Sequence, residues 1–217
     1  MVCGTASDVG KSVIVAGLCR WLARSGISVA PFKAQNMALN SYVTMSGGEI
    51  GRAQAAQAFA AGIEPEIAMN PVLLKPTGER TSQVIVGGQP IGELDAITFQ
   101  ETKSSLLPIV REYLDGLRER FDVVILEGAG SPAEINLASE DIVNLGLAQS
   151  AGIPAVLVGD IERGGVFAAL HGTVSLLDGA RRRLLKGFVI NKFRGDFGLL
   201  DSGITQIEEL TGLEHLG

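Results

Sequence analysis

The stretch "GTASDVGKS", Gly4 to Ser12, decides how this chain folds. Glycine lets successive backbone N–H groups point inward at phosphate oxygens, and the helix that Lys-Ser opens adds its positive end to the same attraction. The apolar "MVC" precedes the stretch, and apolar residues at helical spacing follow it from Ile14 to Leu22. The sequence therefore predicts a strand, a phosphate-binding loop and a helix in direct succession.

The loop departs from the usual phosphate-binding pattern in its spacing. Five residues, rather than four, separate Gly4 from Gly10, and Thr5 occupies a position usually held by glycine. A glycine-rich turn ahead of a helix is the alternative, but Gly-Lys-Ser opening an apolar helix after a strand favours nucleotide binding. Lys11 is then expected to reach the β- and γ-phosphates, and the Ser12 hydroxyl to bind Mg²⁺. The residues predicted to contact the nucleotide in this loop are Gly4, Thr5, Asp8, Val9, Gly10, Lys11 and Ser12.

Beyond the loop, apolar runs and helical periodicities alternate along the chain. Hydrophobic residues make up 46% of the sequence and aromatic residues only 5%, so aliphatic side chains must build the core. The runs that read as strands cover 27–33, 70–76, 82–88, 122–128, 153–160 and 186–192. Helical spacing covers 14–22, 49–62, 106–120, 141–151, 165–177 and 203–211. The repeated βα pattern predicts an α/β fold with a mostly parallel sheet, helices on both faces and one domain over residues 1–217.

Charge and cysteine content exclude several classes of function. The chain carries 18 Lys and Arg against 24 Asp and Glu, a formal charge of −6, which makes it a poor candidate for nucleic-acid binding. Its basic run at 181–183 precedes a predicted strand and is interpreted as a solvated helix end. Its apolar runs fall short of the ~18 residues that a membrane-spanning helix needs. Cys3 and Cys19 have no metal or disulfide spacing. We therefore expect no nucleic-acid partner, no membrane partner, and a reduced protein of the cytoplasm.

Two strand ends supply further candidate contacts to a nucleotide. Glu127 follows the apolar "VVIL" at the carboxyl edge of a strand, so its carboxylate can hold Mg²⁺, unless it merely begins a turn.

Asn191 begins "NKFR", which resembles the Asn-Lys-x-Asp motif that recognises guanine, with Arg194 in place of the aspartate. Guanine needs that carboxylate for its N–H donors, whereas Asn191 alone can pair with adenine. ATP is therefore favoured, and a strand-end cap is the alternative role of Asn191.

Polar side chains are dense in the loops that follow the predicted strands. The stretch "FKAQNMALNSY" follows the second strand, and a loop needs few such groups to satisfy its own backbone. The candidates in this stretch are Lys33, Gln35, Asn36, Asn40 and Ser41. Further candidates along the chain are Ser131, Asn136, Asp141 and Arg163.

Taken together, these motifs resemble the N-terminal ATP-dependent domain of the cobyric acid synthase family, essentially from end to end of the 217 residues. The stretches that carry the resemblance are "GTASDVGKS", "PFKAQNMALNS", "GEIGRAQ", "MNPVLLKP", "LEGAGSPAEIN", "DIVNLG", "DIERGGVFA" and "INKFRGD". The resemblance implies a P-loop fold like that of dethiobiotin synthetase. It also accounts for the five residues between the loop glycines.

The resemblance implies a reaction as well. ATP is expected to phosphorylate a peripheral carboxylate of (adenosyl)cobyrinic acid a,c-diamide, and ammonia then displaces the phosphate. The cycle repeats on the b, d, e and g carboxylates to give cobyric acid for cobalamin biosynthesis. A carboxylate is a poor electrophile, and an acyl phosphate gives it a good leaving group, so the enzyme mostly positions its substrates and neutralises charge.

The same resemblance suggests roles for the candidate residues. Lys11, Lys33 and Mg²⁺ would balance the charge of the transferred phosphoryl group, and Asp141 would orient or activate the acceptor. Ser12, Glu127 and Glu49 are the implied metal ligands. The implied contacts to the corrinoid are Gln35, Asn36, Asn40, Ser41, Ser131, Asn136 and Arg163.

Simpler structural roles remain open for several of these side chains. Lys33 can be a solvated lysine at a strand end, and Glu49 can pair with Arg52 at i+3. Asp141 opens a helix, where the dipole alone favours a carboxylate. Arg163, beside two glycines, can simply face solvent.

Members of the family continue into a class I glutaminase domain with a cysteine nucleophile, which this chain does not match. Ammonia would then come from a glutaminase domain normally in the same polypeptide, and the 217 residues alone are not expected to hydrolyse glutamine. The oligomeric state is left open. Rival interpretations are a cobyrinate a,c-diamide synthase, a dethiobiotin synthetase and a nucleotide-switched ATPase. Ala6 stands where partition-type ATPases carry a lysine, which disfavours the switch.

Overall fold

A computed structural model describes the backbone of residues 1–217 and every side chain except those of Ala96, Ser104, Ser139 and Glu140. The chain divides into two compact units, Met1–Lys11 with Gly128–Gly217, and Ser12–Glu127. The strands are β1 (Val2–Gly4), β2 (Val29–Phe32), β3 (Gln35–Met37), β4 (Ser41–Val43), β5 (Glu49–Gly51), β6 (Val72–Pro76), β7 (Thr81–Val86), β8 (Gln89–Asp95), β9 (Val123–Leu126), β10 (Ala155–Asp160), β11 (Leu185–Asn191) and β12 (Glu214–His215). The helices are α1 (Lys11–Arg24), α2 (Arg52–Ala61), α3 (Ala96–Arg118), α4 (Leu145–Ala151), α5 (Val166–Leu176), α6 (Gly179–Arg182) and α7 (Asp201–Thr211).

The first unit is built on a parallel sheet in the order β1-β10-β11-β12. Strands β1, β10 and β11 are short, mostly apolar runs, as expected where helices cover a parallel sheet. Leu170 of α5 and Phe188 of β11 belong to its buried core. The register sets Asp160 beside Asn191 where β10 and β11 end, and β1 ends in Gly4, the first residue of the phosphate loop.

The second unit combines parallel and antiparallel pairings. Strands β2 and β9 pair in parallel, with Phe32 beside Leu126. The sheet β3-β6-β7-β8 begins with a parallel pair and continues as an antiparallel meander, and β4 and β5 form an antiparallel hairpin. Because β2 and β9 run in register, Lys33 and Glu127 follow their strands at the same edge.

The predicted α/β class with a mostly parallel sheet is confirmed. The differences are shifted element boundaries and elements that the sequence did not predict, among them the strand β8. Residues 35–51, expected as a polar loop and the start of a helix, contain β3, β4 and β5. Helix α3 begins ten residues before the predicted 106 because the carboxylate of Asp95 caps it, accepting hydrogen bonds from the backbone of Ile97 and Thr98 at 2.9 Å each. Gly62 ends α2 in the left-handed conformation, as expected for a helix terminus.

The two cysteines are free and buried. Burial raises the pKa of both thiols to about 12. Across the part of the chain that the structure describes, no helix is long and apolar enough to cross a bilayer.

Candidate functional site

The phosphate loop of the first unit runs from the end of β1 into Lys11, the first residue of α1. Lys11 is 6% exposed, and its ammonium donates to the carbonyl oxygens of Ala6, at 2.8 Å, and Gly130, at 3.0 Å. Gly4 has to be glycine, because a Cβ there would lie 2.6 Å from a methyl of Val9 and 2.9 Å from Nζ of Lys11. The Lys11 ammonium thus lies at the phosphate loop, where a hydrogen bond from it to a phosphate would be charge-assisted.

Side chains at the end of β11 donate hydrogen bonds to backbone carbonyl oxygens of this loop. Asn191 Nδ2 donates to the carbonyl oxygen of Val9 at 2.7 Å, and Lys192 Nζ donates to that of Asp8 at 2.9 Å. Lys192 also pairs with Asp160 at 2.7 Å, and this ammonium, followed by the backbone N–H of Glu162, lowers the pKa of Asp160. The amide nitrogen of Asn191 therefore contacts the phosphate loop. Its contact with adenine stays a prediction.

The second unit contains a buried polar cluster around Glu127, which is only 2% exposed. Its Oε1 accepts from the Ser12 hydroxyl at 2.8 Å and from the Lys33 ammonium at 2.7 Å. Its Oε2 accepts from Nε2 of Gln57 at 2.6 Å and from Nε2 of Gln54 at 3.4 Å. The carboxylate is thus bonded by a cation, a hydroxyl and two amides.

The strand pairing explains why Lys33 and Glu127 meet. The backbone N–H of Glu127 donates to the carbonyl oxygen of Phe32 at 2.8 Å, which continues the β2–β9 ladder by one step. Both residues therefore leave the ladder side by side. The simpler alternative for Lys33, a solvated strand end, does not describe a side chain that is 11% exposed and paired with a buried carboxylate.

The oxygens of this cluster suit Mg²⁺. Ser12 and Glu127 offer a hydroxyl and a carboxylate oxygen 2.8 Å apart, and Mg²⁺ prefers oxygen ligands and usually takes few of them from the protein, with water and phosphate completing its shell. Among the described side chains, no group of three or more His, Cys, Asp or Glu residues could hold a metal ion. A site of one carboxylate and one hydroxyl fits a metal shared with a nucleotide, and the ligand roles stay predictions.

Glu49, the third predicted metal ligand, pairs with Lys75 at 2.8 Å. The Lys75 ammonium lowers the pKa of Glu49, and a hydrogen bond from Ser41 acts in the same direction. The alternative partner suggested by spacing was Arg52, but the cation on Glu49 comes from β6. Its role as a metal ligand stays a prediction.

Asp141 caps a turn of the first unit. Its carboxylate accepts from the backbone N–H groups of Val143 at 3.0 Å, Asn144 at 2.7 Å and Gly146 at 2.8 Å. Because this turn occupies residues 141–144, helix α4 begins at Leu145 rather than at the predicted 141. Its action on an acceptor stays a prediction.

The predicted corrinoid contacts lie in both units. Asn36 is buried and donates to Gln54 at 3.0 Å, while Asn40 is exposed. The Ser131 hydroxyl accepts from the backbone of Ala133 at 3.2 Å. The second unit carries Gln35, Asn36, Asn40 and Ser41. The first unit carries Ser131, Asn136 and Arg163.

Sequence reasoning overlooked the amides that bond Glu127. Neither Gln54 nor Gln57 is among the predicted site residues. Both lie on α2, whose other residues are Arg52, Phe59 and alanines. Glutamines at i and i+3 share one helix face, so two long polar side chains amid alanines were the available signal.

Comparison with known proteins places these features in a family. The family model described as "CobQ/CobB/MinD/ParA nucleotide binding domain" matches residues 1–217. The chain is 65% identical to a protein of Frankia casuarinae named cobyric acid synthase, over 98% of the chain and 41% of that relative. It is 58% identical to a protein of the same name from Mycolicibacterium smegmatis, over 100% of the chain and 44% of that relative. The chain thus spans less than half the length of these curated relatives.

A solved structure supports the fold independently. The chain resembles the signal recognition particle 54 kDa protein of Aeropyrum pernix in complex with GDP, with a TM-score of 0.54 and 15% identity, over 99% of the chain and 39% of that protein. At this identity the likeness concerns the fold alone. The predicted P-loop class is confirmed.

Proposed function

The chain belongs to the CobQ/CobB/MinD/ParA nucleotide binding domain family, and from this premise we propose that it is the ATP-dependent amidoligase part of a cobyric acid synthase. Its substrates are ATP, ammonia and a corrinoid, (adenosyl)cobyrinic acid a,c-diamide, which is amidated at its b, d, e and g carboxylates. The ammonia comes from a glutaminase domain. The names of the relatives support this proposal. The observation that carries it is the buried Lys33–Glu127 pair beside the Ser12 hydroxyl, because phosphoryl transfer to a carboxylate needs cations that offset negative charge.

The proposed reaction has two steps. An oxygen of the corrinoid carboxylate attacks the γ-phosphorus of ATP, the bond to the bridging oxygen breaks, and ADP leaves. Ammonia then attacks the acyl carbon, the bond from that carbon to the phosphate oxygen breaks, and inorganic phosphate and a proton are released. The net change converts ATP, ammonia and a carboxylate into ADP, phosphate and an amide.

The chain's own residues contribute binding and charge. Lys11 and the backbone N–H groups of the loop bind the phosphates, and Lys33 offsets the charge that builds up as two anions approach. Ser12 and Glu127 would hold Mg²⁺, which when bound supplies further neutralisation of the phosphate oxygens. The two buried thiols suit a reducing compartment, so we assign the protein to the cytoplasm as part of this proposal.

A substitution at Lys11 tests the nucleotide part of the proposal. We expect Lys11→Ala to weaken Mg·ATP binding by about tenfold to a hundredfold, because a charge-assisted hydrogen bond contributes about 1.5–3 kcal/mol. Isothermal titration calorimetry measures the change, with Mg·GTP as the comparison ligand. Lys186→Ala, an exposed lysine that donates to the carbonyl of Arg183, is the matched control and should keep wild-type affinity.

Turnover tests the acceptor. We expect ATP hydrolysis to ADP to rise when cobyrinic acid a,c-diamide and ammonia are added together, with amide product detected by mass spectrometry. A rate of ATP hydrolysis that is the same with and without the corrinoid would favour the nucleotide-switched ATPase. If the precursor of dethiobiotin were the better acceptor, a dethiobiotin synthetase would be favoured. If unamidated cobyrinic acid were the better acceptor, a cobyrinate a,c-diamide synthase would be favoured.

A further inference from the structure

We propose that Gln54 and Gln57 of α2 are positioning residues, which hold the Glu127 carboxylate in one orientation so that its Oε1 faces Ser12 and Lys33. The inference rests on the proposed function, because it treats Glu127 as a ligand of the metal that accompanies the nucleotide. It adds residues that do not touch the metal or the substrates. All of them lie in the unit Ser12–Glu127.

Gln57 ties the carboxylate to the start of α1. A primary amide has two N–H donors, and Nε2 of Gln57 points one at Oε2 of Glu127, at 2.6 Å, and one at the carbonyl oxygen of Ser12, at 3.2 Å. Gln57 is 1% exposed, so water does not compete for these bonds. One side chain thus sets the separation between the main chain of Ser12 and the carboxylate that its hydroxyl contacts.

Gln54 extends the network toward the predicted acceptor side. Its Nε2 donates to Oε2 of Glu127 at 3.4 Å and to Oε1 of Gln57 at 3.5 Å, and its Oε1 accepts from Nδ2 of Asn36 at 3.0 Å. Asn36 is one of the predicted corrinoid contacts. A substrate that displaced the Asn36 amide would therefore break its hydrogen bond to Gln54, and Gln54 is itself bonded to the Glu127 carboxylate.

Gly51 shows how tightly this network is packed. A Cβ at this position would overlap Nδ2 of Asn36 and lie 2.6 Å from Oε1 of Gln54. The backbone of Gly51 is extended, with φ −62° and ψ 136°, which any residue adopts. The packing against the Asn36–Gln54 hydrogen bond, rather than backbone conformation, therefore favours glycine here, because an added methyl group would have to displace one of these two side-chain amides.

Burial makes the orientation of Glu127 depend on these amides. A carboxylate removed from water needs hydrogen bonds on both oxygens, and Lys33 and Ser12 bond only Oε1. Without the amides, Oε2 would lose the contacts described above, and the carboxylate would turn toward other donors. Loss of such an outer partner typically lowers metal affinity about 10–100-fold.

Manganese binding tests the inference. The full chain is titrated with Mn²⁺ in the presence of ATP and followed by electron paramagnetic resonance, and ATP binding is measured separately in EDTA. We expect Gln57→Met to weaken Mn²⁺ binding at least about tenfold while metal-free ATP affinity stays at the wild-type value. Gly51→Ala adds a methyl group that presses on the amides of Asn36 and Gln54, so it should also weaken Mn²⁺ binding. This variant provides the test if Gln57→Met does not fold.

Thr44→Val is the matched control. Thr44 is buried in the same unit, and its hydroxyl donates to the carbonyl of Gly48 at 3.1 Å, away from Glu127, so its loss should lower stability and leave Mn²⁺ affinity unchanged. Wild-type Mn²⁺ affinity in both Gln57→Met and Gly51→Ala overturns the inference and leaves the proposed function standing. A wild-type chain that binds no ATP overturns the proposed function and the inference with it.

Discussion

At the scale of single residues, the Lys33–Glu127 ion pair makes a prediction about stability. Lys33→Met should lower the free energy of unfolding by about 3 kcal/mol, the low end for breaking a buried pair, because amide and hydroxyl donors still bond the remaining carboxylate. Urea unfolding followed by circular dichroism measures the loss. Lys33→Met combined with Glu127→Gln removes both charges and should recover much of the stability. A single variant as stable as the wild type would contradict the pairing.

The thiols give a second prediction at this scale. Only a thiolate reacts readily with disulfide reagents, and burial raises the pKa of Cys3 and Cys19 to about 12. The native chain at pH 7.5 should therefore react with 5,5′-dithiobis(2-nitrobenzoate) only at the rate at which it unfolds. Absorbance at 412 nm, with and without urea, measures both rates. Fast release of one equivalent from the folded chain would show that a thiol is accessible.

At the scale of elements, replacing two glycines of the second unit by alanine should change stability in opposite directions. Gly62 ends α2 with φ 75°, so Gly62→Ala should cost about 1 kcal/mol of stability. Gly116 lies inside α3, where an added methyl group would meet no described atom within 4 Å beyond the helix's own backbone, so Gly116→Ala should add about 0.5–1 kcal/mol. Denaturant titration of both variants provides the comparison, each serving as the other's control. Equal shifts of the same sign would contradict the assigned helix end.

The elements also show why some features were predictable and others were not. The apolar runs of β2 and β9 are long enough to recognise, and Lys33 and Glu127 follow directly at their ends. Strands β3, β4 and β5 have three residues each, too few for a period of two to appear, and β3 pairs with the distant strand β6. The bonds of Gln57 depend on burial, which sequence spacing does not reveal. The strand-end charges were therefore predicted, whereas the amides that bond them were not.

At the scale of the whole molecule, carboxylates with lowered pKa values make stability depend on pH. Their partners are a lysine ammonium for Glu49 and Asp160, and backbone N–H groups at helix starts for Asp95 and Asp178. These groups bind fewer protons in the folded than in the unfolded chain, so their contribution is present above the unfolded pKa of about 4 and is lost as pH falls through the lower folded pKa.

The net charge acts in the opposite direction at milder acidity. Titration from −6 at pH 7 toward the isoelectric point near 5.0 relieves repulsion, so we expect the urea midpoint to hold or rise slightly to pH 5 and to fall steeply below about pH 4. Urea titrations at pH 7, 5, 4 and 3 measure the profile. Asp178→Asn should flatten the acid limb, because it removes one of the groups that gains a proton on unfolding.

The packing of Gly51 has a consequence for reading related genomes. Since a methyl group at position 51 would displace the amides at positions 36 and 54, we expect these three positions to vary together. A homologue with alanine at 51 should have a shortened or exchanged side chain at 36 or 54. Position 51 is thus a one-letter marker of which homologues retain this amide bridge.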